Sequence, residues 1–409
     1  MKSPGLGEDA RNVSLITGSG LLALVVTSGF LAASALRTER PVRHVVVESS
    51  PANSYEVIMP LSGTNRLYGR VVTDRGQEYT GFIRWDRNEG SWADLLDANK
   101  GATQSGIRFG HVSRIDDMGR SGARFTLKSG EVVELGSRSS DLGPGLRALL
   151  VDQADGSRAE LGWDDLQLVE FQPTPRNATP AEGRLYGTLV TDSGLEFTGY
   201  VTWDVDEIYS SDVLDGEEGR LDRKVPFGAI QSIQRNGSGS ARVVLHDGTA
   251  MVLSGTNDVN SSNSGISVSD PALGQVLVGW DEFVGVRFHG TAAEETYDSF
   301  DGGGAIRGTV VTARGEKLSG RIVWDDDEAY SWEMLNGSAD GLQFQVEFGN
   351  IAEIQKTRRG ALVTLHDGRA FELTGSNDVN SGNRGIHVEV GNRTYRVGWS
   401  DFVSLALER

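Results

Sequence analysis

Apolar and polar residues alternate on both sides of a glycine again and again along this chain, as in VVTARGEKLSG around Gly315 and VTLHDGRAFEL around Gly368. A period of two turns one face of a strand inward, and a glycine that accepts positive φ reverses the chain, so each stretch predicts a β-hairpin. The pattern recurs at a longer scale. RLYGRVVTDRGQEYTGFIRWDRNE from Arg66, RLYGTLVTDSGLEFTGYVTWDVDE from Arg184 and AIRGTVVTARGEKLSGRIVWDDDE from Ala305 are three copies of one unit, which places repeats at 66–172, 184–290 and 305–409.

A fainter repeat lies inside each copy. An apolar triplet spaced by threes closes both halves: Phe109, Val112, Ile115 and Trp163, Leu166, Val169 in the first; Phe227, Ile230, Ile233 and Trp280, Phe283, Val286 in the second; Phe348, Ile351, Ile354 and Trp399, Phe402, Leu405 in the third. Ten residues beyond five of the six hairpin glycines stands an aspartate: Asp86, Asp204, Asp258, Asp325 and Asp378. The WDxxE turns and the loops SGTNDVNSSNSGI and TGSNDVNSGNRGI are therefore equivalent positions of a duplicated half-module. A lone hairpin is barely stable in water, so two halves are expected to close on each other. The predicted fold is all-β: three tandem antiparallel small barrels or sandwiches of eight to ten strands, SH3-like by analogy of strand pattern, with the carboxylate-bearing turns outside the shared interior.

Between the copies, the prolines of PTPRNATPAEG (173–183) favour an extended spacer, while GTAAEETYDSFDGGG (290–304) reads as flexible. Ahead of them, residues 13–36 carry no charge and, as a helix at about 1.5 Å per residue, are long enough to cross a hydrocarbon core of roughly 30 Å. The expectation is one N-terminal hydrophobic signal-anchor helix within 1–36 and a juxtamembrane stalk at 37–65, in which VRHVVVE adds a strand. The Ala33-Ser34-Ala35 ending also fits a cleaved signal, and a buried helix is a third reading. Arg37, Arg40 and Arg43 follow the segment while Lys2 and Arg11 precede it, which by the positive-inside tendency favours a cytoplasmic body. The signal-like end and a β composition rich in Asn, Gly and Ser favour an extracytoplasmic one, at the periplasm or cell surface, and that is the expected placement.

Charge narrows the partners. Lys plus Arg number 39 against 57 Asp plus Glu, a formal charge of −18, so nucleic acid is not an expected partner. The chain has no cysteine, which excludes disulfides, thiolate nucleophiles and Cys-ligated metals.

Of the repeated residues, Asp258, Asn260 and Asn263, with Asp378, Asn380 and Asn383, present alternating side-chain oxygens of the kind Ca²⁺ accepts, and Asp204, Asp206, Glu207, Asp325, Asp327 and Glu328 add charge if the loops meet. The competing reading is that Asn and Asp build rigid turns by bonding nearby amides. Apart from Ca²⁺ no cofactor is expected. Trp85, Trp203, Trp324, Trp163, Trp280 and Trp399 read as core anchors, whereas Trp92, Trp332, Tyr209 and Tyr330, in more polar surroundings, are candidate exposed contacts for a partner. Catalytic motifs are absent: the LHDG pairs His246-Asp247 and His366-Asp367 sit at hairpin turns without a nucleophile, and acids recurring in every copy read as solvated turn residues.

Similar features spread over several copies distribute contact surface instead of concentrating chemistry. The reading that follows is a non-catalytic, membrane-anchored scaffold, or an accessory extrinsic subunit of a large integral-membrane complex of photosynthetic or respiratory type, binding protein partners. The alternatives are a cell-surface repeat protein that binds Ca²⁺ or glycan, and a hydrolase that uses the acidic loops.

Overall fold

A computed structural model of the protein describes residues 45–49, 53–57 and 64–409, except 101–102, 121, 137–139 and 291–294. The segment expected to form an N-terminal helix lies outside the described residues, and among those residues no helix is long and apolar enough to cross a membrane. In the segment expected to form a stalk, β1 (Val45–Ser49) and β2 (Asn53–Val57) pair as an antiparallel hairpin.

The strand pairings among the other described residues are all antiparallel. The first repeat contributes β3 (Tyr68–Thr73), β4 (Glu78–Arg84), β5 (Leu95–Lys100), β6 (Thr103–Arg108) and β7 (Val112–Gly119). It continues with β8 (Gly122–Leu127), β9 (Val132–Gly136), β10 (Leu149–Gln153), β11 (Arg158–Leu161) and β12 (Leu166–Phe171). They lie side by side in the order β11-β10-β4-β3-β12-β7-β8-β9-β5-β6. Replacing each of β3–β7 by its counterpart five strands later, and the reverse, returns the same order read backwards. Each half therefore lends its second hairpin to the first hairpin of the other, β10 onto β4 and β5 onto β9. Neither half closes alone.

The apolar triplets form the seam. In four of the six, the first residue opens a short 3-10 turn that drops the chain from a hairpin into a central strand. Every triplet side chain is buried except Trp399, which packs partly covered against the same core. Trp85, Trp203 and Trp324 are fully buried, each donating its indole N–H across the interior, to the carbonyls of Asp141, Asp258 and Asp378 at 2.9, 2.9 and 3.0 Å.

The second and third repeats follow the same strand plan, but they are joined. Gly274–Val278 of the second pairs with Leu342–Glu347 of the third, in register Gly274↔Val346 to Leu277↔Gln343, so twelve strands form one sheet that crosses the repeat boundary. Phe197, Phe344 and Phe371 meet across the junction, and the cores of the two repeats are continuous. The first repeat has its own core, completed by Tyr297, Phe300 and Trp332 from the following linker and the third repeat. The expectation that 290–304 is flexible is thus corrected for Glu295–Gly304. Tyr297 and Phe300 are buried, Tyr297 donates its hydroxyl to the Val112 carbonyl at 3.1 Å, and a Cβ on Gly110 would overlap the Phe300 ring.

Candidate functional site

Each WDxxE turn reverses the chain through two consecutive left-handed residues: Asp86-Arg87, Asp204-Val205 and Asp325-Asp326. The turn therefore doubles back against the Asx-rich loop of the other half, and the two loops meet. Asp325 accepts hydrogen bonds from Asn377 Nδ2 and the Arg384 amide, and Asp204 from Asn257 Nδ2 and the Ser264 amide. Asp258 and Asp378 reach across to accept the amide N–H of Asp215 and Asn336, at 2.7 and 2.6 Å. The remaining loop oxygens are also engaged: Asn260 and Asn380 accept from the amides of Ser262 and Gly382, Asn263 and Asn383 from those of Gly265 and Gly385. Of the predicted oxygen ligands, all six thus hold the backbone of their own repeat.

The carboxylates expected to lie outside the interior, as solvated turn acids, are instead largely buried: Asp86, Glu89, Asp141, Asp204, Asp258, Asp325, Glu328 and Asp378. Burial, then Asp378 and Asp327 beside it, pushes Glu328 up to about 11; burial, then Asp206 and Asp258, pushes Glu207 up to about 9. Glu89 is raised well above its ordinary value by burial and by Asp141. Asp141 itself is pushed up to about 8, and Asp258 and Asp378 to about 6, burial leading in all three. One carboxylate oxygen of each turn glutamate, Glu89, Glu207 and Glu328, finds no hydrogen-bond donor. Glu328 stands with Asp325 and Asp327 so that one oxygen of each lies within 4.8 Å of the others, a spacing that suits a divalent cation; Arg384 already bonds Asp327 at 2.5 Å and Asp325 at 3.1 Å.

One turn downstream, an acid staples the chain in every repeat. Asp94 accepts the amides of Gly90 and Ser91, Asp212 those of Ile208 and Tyr209, Glu333 those of Ala329 and Tyr330. Each then takes a cation from another repeat: Asp94 from Arg184 at 2.9 Å, Asp212 from Arg84 at 3.1 Å, Glu333 from Lys100 at 2.5 Å. Here the four aromatic candidates reappear, and the exposed placement expected for them is corrected. Trp92, Trp332 and Tyr209 are buried and Tyr330 is half-buried, because what they meet is the same chain. The Arg66 guanidinium lies 3.8 Å from the Tyr209 ring, Trp92 packs on Tyr297, and the Tyr330 hydroxyl bonds Glu131 at 2.8 Å.

Where the repeats converge, a cavity of about 630 Å³ opens, lined by Glu89, Asp94 and Asp97 of the first repeat, Ser267 and Gln275 of the second, and Asn336, Gln343, Gln345 and Asp378 of the third. Its polar character and its assembly from all three copies were invisible to a reading of one copy at a time. Comparison of the chain with protein-family models, with curated proteins and with solved structures finds no match in any of the three.

Proposed function

We propose that the chain is a non-catalytic scaffold: three small-barrel repeats of SH3-like design, anchored through residues 13–36, held outside the cytoplasm and docking protein partners of a large membrane complex as an accessory extrinsic subunit. What supports this is the fusion of the repeats into one body. Arg184 is fully buried against Asp94 and the twelve-stranded sheet runs through the boundary between repeats two and three, so the copies present a fixed surface and not beads on a string. Gentle detergent extraction followed by native electrophoresis is expected to show the 44.0 kDa chain in a heavier assembly. Migration solely as a free monomer overturns the proposal.

A second reading is favoured by the unpartnered Glu328 oxygen beside Asp325 and Asp327: a cell-surface protein that takes Ca²⁺ at the WDDDE turn of the third repeat. Titration calorimetry with Ca²⁺ is expected to give heat and a raised melting temperature, both lost in Glu328→Gln. Neither signal in the unmodified chain removes this reading.

A further inference from the structure

The join between the second and third repeats is a template whose two halves recur as unpaired sheet ends, Arg158–Leu161 and Thr103–Arg108 in the first repeat and one of each kind in the third and the second. In that join the edge strand Gly274–Val278 receives the edge strand Leu342–Glu347. The counterpart of the first in the third repeat is Arg393–Val397, since each closes a hairpin on an equivalent strand, Ile266↔Val278 and Ile386↔Val397. The counterpart of the second in the second repeat is Leu221–Pro226, which pairs with Val213–Glu218 as Leu342–Glu347 pairs with Met334–Ala339. Both counterparts end their sheets. Exposure records the missing mates: Leu342 is 0% exposed but Leu221 61%, and Val276 is 0% exposed but Tyr395 38%.

We propose that these two edges pair with each other between copies of this chain, Arg393–Val397 of one copy adding to Leu221–Pro226 of the next. This deepens the scaffold reading, on which it rests, by naming a second copy as a partner. Carried over, the internal register sets Thr394 opposite Lys224, Tyr395 opposite Arg223, Arg396 opposite Asp222, and Val397 beside Leu221. The charges suit that choice: Arg396 meets an aspartate, and the Tyr395 ring a guanidinium. Two copies of Arg393–Val397 pairing about a two-fold axis would instead bring Arg393 and Arg396 of both edges together, like against like. The contact joins unlike edges, so it propagates head to tail into a ring or a filament, continuing a sheet across molecules as it already continues across repeats.

The chain's lack of cysteine makes the test direct. Thr394→Cys and Lys224→Cys are introduced into separate full-length copies, which are mixed in mild detergent under an oxidant; facing Cα atoms in an antiparallel pair lie within disulfide reach. A cross-linked dimer is expected only from the mixture, with its yield cut several-fold by Asp222→Arg and recovered when Arg396→Asp is added to the other copy. No cross-link from the mixture, or equal cross-linking of Thr394→Cys with itself, overturns the proposal. Heavier assemblies on native gels without this cross-link leave the scaffold reading standing and remove self-pairing alone; monomer on both removes both.

Discussion

The turn glutamates, buried at Glu89 and Glu328 and half-buried at Glu207, give each repeat an unusual response to pH. A carboxyl whose folded-state pKa lies above its unfolded value of roughly 4.3 binds more proton when folded. Its neutral form is at no disadvantage below that value, and the fold loses stability as pH climbs from there toward the folded-state pKa, about 9 for Glu207 and about 11 for Glu328. Glutamine holds the same shape without a charge to desolvate. The double variant Glu207→Gln, Glu328→Gln is therefore expected to melt like the parent near pH 5 and above it by roughly 2 °C or more at pH 9, on the order of 1 kcal/mol, read by scanning calorimetry at both pH values. Nothing in WDVDE or WDDDE announced this, because a short acidic turn carries no trace of what packs over it. The burial arises only when the loop of the other half folds down and Asp258 or Asp378 caps an opposing strand. The tryptophan of the same motif was legible, since it sits in strict alternation at the end of a strand.

At the level of the turn and hairpin, the WDxxE reversal demands two residues in the left-handed region, which Asp86-Arg87 and Asp325-Asp326 accept at modest cost. In the second repeat the second of them is Val205, at φ 58°, a β-branched residue where such side chains are rarely tolerated. Val205→Asn is expected to raise stability by about 1 kcal/mol, seen as a higher urea midpoint at unchanged slope; a lower midpoint would show that the Val205 side chain does more by packing than it loses in strain. Element by element, much of the fold was legible. Hairpin alternation and the spaced triplets located the half-modules, whose exchange of second hairpins then follows from neither half having a closed sheet. Which edge strand pairs outside its own repeat was not legible. Leu342–Glu347 and Leu221–Pro226 stand in equivalent places, yet only the first is covered, because strand register identifies an edge and says nothing of what reaches it. Trp92 and Tyr209 were misplaced for a related reason: polar neighbours along the chain imply exposure only where the next repeat stays away.

Across the whole molecule, the question is whether three repeats unfold as three bodies or as one. A repeat array with polar contacts between its members would melt in stages, each member near its own midpoint. In this protein the contacts include an arginine with no exposed side-chain surface, Arg184, whose guanidinium bonds both oxygens of Asp94 as well as the carbonyl of Val201 and the hydroxyl of Thr202. A Cβ on Gly90, two residues before the next turn of that junction, would overlap the Tyr209 hydroxyl, so the repeats are also fitted sterically. Removing the acid alone strands a cation away from water, at a cost of about 3–5 kcal/mol, whereas replacing both partners with apolar groups removes the penalty along with the bond. The wild-type body is accordingly expected to show one calorimetric transition with equal calorimetric and van't Hoff enthalpies. Asp94→Ala should split off the first repeat as a separate, lower transition, and Asp94→Ala with Arg184→Met should recover much of the loss. Two transitions already present in the wild type would mean that the ion pair joins bodies that fold independently, and the fixed surface on which the scaffold proposal depends would go with it.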